Sequence, residues 1–88
     1  MSSPFRRKQV RRALLETLEM AKGYALESMT LQTYVDDQLR PPMTGREYLD
    51  EITFFWQNEY VRKVASPLDP LINQYVLTER GKSLLASL

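Results

Sequence analysis

The residues in this chain with the means to do chemistry are two adjacent carboxylate pairs and one run of cations. Asp36–Asp37 and Asp50–Glu51 each fall within an expected helix. Neighbours on a helix point in different directions, so neither pair converges as a general acid and base. There is no Cys and no His, which excludes thiol and imidazole nucleophiles and the usual zinc sites. The three glycines, Gly23, Gly45 and Gly81, are too scattered to form a phosphate-cradling loop. No constellation meets the first geometric requirement of catalysis, so neither enzymatic activity nor a cofactor or metal is expected.

Charge is the more informative feature. Arg6, Arg7, Lys8, Arg11 and Arg12 place five positive charges in the first twelve residues, with no acid among them. The formal net charge is only +1, because the other seven basic residues face all eleven acids and leave residues 13–88 at −4. A basic arm on a mildly acidic body is suited to tracking a phosphate backbone. The plain alternative is a solvated first turn that keeps a small domain soluble. Cations at a helix start oppose the helix dipole at a cost of roughly 0.3–1 kcal/mol each, which favours a role over accident.

The length of 88 residues sets one domain spanning 1–88, without room for a second core. A composition of 43% hydrophobic and 26% charged residues is that of a soluble globule. No apolar run approaches the roughly 20 residues that span a bilayer, and MSSPFRRKQVRR lacks the apolar segment of a signal peptide. A cytoplasmic protein without membrane partners is expected, and the absence of Cys fits that compartment.

The elements that must carry these charges follow from periodicity and punctuation. A first helix is expected from Pro4 to Gly23, with Val10, Leu14, Leu18 and Ala21 on its apolar face. Tyr24 to Leu26 reads as a short edge strand. Ser28 or Thr30 is expected to cap a second helix running to about Leu39, which Pro41 and Pro42 stop. Thr44 and Glu47 form a T-x-x-E capping box that opens a third helix. YVRKVA reads as a strand, SPLDPLIN as a hairpin loop and QYVLT as the returning strand. Thr78 then caps a last short helix with Leu84, Leu85 and Leu88 on its apolar edge.

Helix, strand, helix, helix, strand, loop, strand, helix is the order of a winged helix-turn-helix. The expected class is mainly α with a small β-wing (α+β): a three-helix core, a two-stranded wing and a short C-terminal helix. YVLTERGKSLL resembles the strand-to-helix step after the wing in many such regulators, where Y-x-L-T-x-x-G is frequent. The chain as a whole resembles a family of small winged-helix proteins of Mu-like prophages, through R-R-A-L-L-E-T-L, G-Y-A-L, the capped third helix and L-T-E-R-G. The resemblance implies a fold and a phage setting, and no established activity.

The third helix poses a contradiction. Its position is that of a major-groove reader, yet Thr44–Val61 holds Glu47, Asp50, Glu51 and Glu59 against Arg46 alone among basic residues. Tyr48, Ile52, Phe55 and Trp56 are expected to face the core, with Leu49 at the margin. Arg46 and Thr53 are the expected base readers, and Asp50 can accept from cytosine N4. Double-stranded DNA would then be held through Arg6, Arg7, Lys8, Arg11 and Arg12, with Arg62 and Lys63 on the wing, in a transcriptional regulator of phage or bacterial type. The alternative is a module for protein contact or homodimer formation through Phe54, Leu84, Leu85 and Leu88.

Overall fold

The computed structural model describes residues 3–88. In chain order the elements are α1 (Pro4–Met20), β1 (Leu26–Glu27), α2 (Ser28–Asp36), α3 (Gly45–Gln57), β2 (Val61–Ala65), β3 (Asn73–Leu77) and α4 (Glu79–Ser87).

Helix α1 starts where Pro has nothing to lose, since the N–H it lacks would be unpaired in the first turn. The Ser3 hydroxyl accepts the Arg6 N–H at 3.1 Å. Packing against α2, α3, α4 and β3 makes α1 the central element. This is why Val10, Ala13, Leu14, Leu15 and Leu18 are all buried, a wider arc than one-sided amphipathicity gives. The helix ends at Met20 rather than Gly23, because residues 21–23 form a turn with Lys22 and Gly23 at φ 52° and 90°. The brief strand is accordingly Leu26–Glu27 and not Tyr24–Leu26.

Helix α2 begins at Ser28 itself and stops at Asp36, short of the expected Leu39. Ser28 is not a cap because its hydroxyl lies 2.5 Å from the Tyr48 hydroxyl on α3. Leu31, Val35 and Leu39 are buried, whereas Tyr34 is exposed. Burial, slightly offset by the Ser28 hydrogen bond, pushes the Tyr48 phenol up to about 12. In an unfolded chain a tyrosine ionises near 10, so the folded form disfavours the tyrosinate. Stability is therefore expected to hold below pH 10 and fall between pH 10 and 12. In urea titrations at pH 9, 10 and 11, Tyr48→Phe should show a shallower fall, with buried Tyr75, also raised, keeping part of the slope.

The capping box that opens α3 is fully formed: the Thr44 hydroxyl accepts the Glu47 N–H and Glu47 Oε1 accepts the Thr44 N–H, both at 3.0 Å. Its far end closes as a Schellman motif. The Tyr60 N–H reaches the Phe55 carbonyl at 2.8 Å and the Glu59 N–H reaches that of Trp56 at 3.3 Å. Glu59 takes the left-handed position usually given to Gly, at φ 63°. The apolar contact of that motif is the Phe55–Tyr60 ring pair, edge-on at 6.4 Å.

Strands β2 and β3 form the wing, with Val61 opposite Leu77 and Ala65 opposite Asn73; β1 adds antiparallel on the far side of β3. The tip is held by Asp69 Oδ1, which accepts the Leu71 N–H at 2.9 Å, an Asx turn. Thr78 caps α4 by accepting the Gly81 N–H at 3.0 Å, while its own hydroxyl lies 2.7 and 2.9 Å from the Glu59 and Tyr60 carbonyls. The start of α4 thereby rests on the chain between α3 and β2.

Candidate nucleic-acid interface

Two of the three acids of α3 that argued against an interface with DNA are engaged by arginines of α1. Glu47 and Glu51 lie on the side of α3 facing α1. The Arg6 guanidinium grips Glu47 with a two-pronged contact, Nε–Oε2 at 2.9 Å and Nη2–Oε1 at 3.1 Å, and also donates to the Pro42 carbonyl at 3.2 Å. That hydrogen bonding raises the Arg6 pKa further above its ordinary value. Arg11 holds Glu51 likewise, at 2.8 and 3.4 Å, and its guanidinium stacks 4.4 Å above the Phe54 ring. Glu51 is only 7% exposed. Two of the five arm cations thus neutralise two of the α3 acids through forked contacts that match a planar guanidinium to a carboxylate.

The outward face of α3 consists of Arg46, Leu49, Asp50, Thr53, Trp56 and Gln57. Arg46 and Asp50 pair at 3.5 Å, but both are well exposed, and such a pair contributes about 0–1 kcal/mol and opens easily. Leu49 is 58% exposed. Trp56, expected in the core, is 38% exposed instead. The core-facing arc runs from Glu51, paired with Arg11, through Phe55 and Tyr48 to Ile52; at about 100° per residue Trp56 falls beyond the arc's edge. Lys63 Nζ lies 4.4 Å over the Trp56 ring and joins the wing to the end of α3.

The cations do not form one stripe. Arg6, Arg7, Arg11 and Arg46 line the groove between α1 and α3, alternating with Glu47, Asp50 and Glu51. Lys8 and Arg12 line a separate hollow beside Gln38 and Leu39. Arg12 also donates to the Leu88 carbonyl and pairs with Glu16 at 3.8 Å. On the wing, Arg62 and Lys63 are consecutive in a strand and so point to opposite faces. Lys63 shares the face of Val61, toward α3, and Arg62 faces the other way.

Among the residues considered for protein contact, Phe54 is half-buried, 5.7 Å from the Tyr60 ring and 6.0 Å from that of Phe55. Leu84, Leu85 and Leu88 are partly buried against the core. The apolar side chains that do stand in solvent are others: Leu68 and Leu71 at the wing tip, each 89% exposed, then Tyr24, Met20, Met29 and Phe5, and to a lesser degree Leu49 on α3. Helical periodicity carried a signal for Leu49, already at the margin of the core face. Nothing in SPLDPLIN distinguishes a tip leucine from a core leucine until the hairpin's reach is known. Among the described residues no acidic cluster could hold a metal ion, and no helix is long and apolar enough to cross a membrane.

Three helices around one core, a short strand before the second, and a β-hairpin beside the third make this a winged helix-turn-helix domain of the α+β class. Among solved structures it is similar to the PcaV transcriptional regulator of Streptomyces coelicolor, crystallised with its natural ligand, at a TM-score of 0.62 and 19% identity. The similarity covers 98% of this chain but 51% of that one, so the chain spans about half the length of that regulator. No family profile matches the chain, and no curated protein does.

Proposed function

We propose that the chain binds double-stranded DNA as a transcriptional regulator of phage or bacterial type, with α3 in the major groove. The observation that carries this reading is the inward turn of Glu47 and Glu51. With those two carboxylates held by Arg6 and Arg11, the outward face of α3 is close to neutral, and Arg46 can donate to guanine once its exposed pair with Asp50 opens. The similarity in fold to a transcriptional regulator supports the same reading. Phosphate contact then falls to Arg7 and Lys63, cations on the α3 side that no buried carboxylate engages. Lys8, Arg12 and Arg62 face other directions and contribute less.

Titration of a short duplex by fluorescence anisotropy, at several salt concentrations, tests the proposal. Each phosphate contact contributes about 0.9 to the slope of log affinity against log salt. Arg7→Ala and Lys63→Ala should each reduce the slope by about that amount, whereas Arg12→Ala should leave it nearly unchanged. Absence of binding at low salt, or a slope untouched by replacing Arg7 and Lys63 together, would end this reading.

A further inference from the structure

The outward strip of α3 offers more than cations. Leu49, with more than half its surface in water, and Thr53, four residues on, stand in line between Arg46 at the helix start and the Trp56–Lys63 contact at its end. Resting on the duplex-binding reading above, we infer that Leu49 and Thr53 read thymine methyl groups in the major groove. The C5 methyl of thymine is the one apolar feature among the base edges displayed there, and an exposed aliphatic side chain on a groove-bound helix is its natural partner. Leu49 and Thr53 are separated by about 6 Å of helix rise. Bases follow one another at about 3.4 Å along a strand, so the two side chains span roughly two base steps.

The neighbours complete the pattern. Arg46 is placed to fork onto guanine, and Asp50, once its surface pair opens, can accept from cytosine N4. The site read by α3 therefore holds two thymines about two steps apart, with a G·C pair beside them on the Arg46 side. A protein partner fits this strip less well. Its apolar surface, Leu49 with part of Trp56, comes to roughly 200 Å², against roughly 800 Å² per side in a stable protein interface. Cations stand at both ends of the strip, which suits a polyanion.

The test is selection of bound duplexes from a random-sequence pool at low salt, followed by resynthesis of the enriched duplex with each thymine changed in turn to uracil. That change removes only the methyl group. At two positions about two steps apart, its loss should weaken binding roughly 4-fold, the equivalent of one buried methyl. Leu49→Ala should still bind the duplex but lose the sensitivity at one of them, and a circular dichroism spectrum matching the parent's verifies its fold. Uracil tolerated everywhere by the parent, or full methyl sensitivity retained in Leu49→Ala, overturns the inference while leaving duplex binding intact. A pool that yields no bound or enriched duplex removes the inference, and if no duplex binds at all it removes the DNA reading too.

Discussion

Arg11→Met is expected to lower the unfolding free energy by about 2–4 kcal/mol, somewhat below the 3–5 kcal/mol typical of breaking a fully buried ion pair. Glu51 is 7% exposed, and its two oxygens face the Arg11 guanidinium at 2.8 and 3.4 Å. Without that cation the carboxylate stays in a low-dielectric pocket with its partner gone. The Arg11 side chain is itself 23% exposed, so water can reach the vacated place and soften the loss. The cation stacked on Phe54 disappears as well. Urea unfolding of Arg11→Met, Glu51→Met and the double variant separates the causes. The double variant should recover most of the loss, because burying a matched ion pair confers little net stability over apolar side chains of similar volume. If Arg11→Met alone is as stable as the parent, Glu51 does not depend on Arg11. Arg6→Met should cost less, since Glu47 keeps its hydrogen bond to the Thr44 N–H.

The second large effect is expected at Gly81. A Cβ there would collide with the Tyr60 carbonyl oxygen and stand 2.5 Å from Leu77 Cδ1. The carbonyl cannot yield, for it is held by the Thr78 N–H at 3.2 Å and the Thr78 hydroxyl at 2.9 Å. Ala favours a helix over Gly by roughly 0.5–1 kcal/mol, but overpacking against fixed backbone costs 1–3 kcal/mol or more. Because α4 must lift off the α3–β2 connection, the upper part of that range applies. Gly81→Ala should lose about 2–3 kcal/mol net, which for a domain of this size lowers Tm by roughly 10–20 °C. A thermal melt matching the parent would show that α4 does not rest on Tyr60.

How much of this was legible in the sequence depended on the range of the interaction. The Thr44–Glu47 box and the Thr78–Gly81 cap join residues three apart, and the sequence shows them directly. The alternation of strand residues around a Pro-rich loop likewise betrayed the wing. The destination of the α3 acids was hidden, because Arg6–Glu47 and Arg11–Glu51 join residues 41 and 40 apart. The sequence displayed those cations and acids as separate populations, and only their meeting shows that two of each cancel. Trp56 was misplaced because it lies at the edge of the core face, where the Lys63 contact from the wing, seven residues away, could not be foreseen. The Schellman closure was unreadable because Glu59 sits where Gly usually announces it.

The double use of Glu47 has a consequence for motion. One carboxylate caps its own helix through the Thr44 N–H and moors α1 through Arg6. Fraying the first turn of α3 therefore withdraws the anchor of α1, and peeling α1 away frees the carboxylate that closes the cap. Two helix starts far apart in sequence are thereby tied to one carboxylate, so loss of order at either is expected to loosen the other.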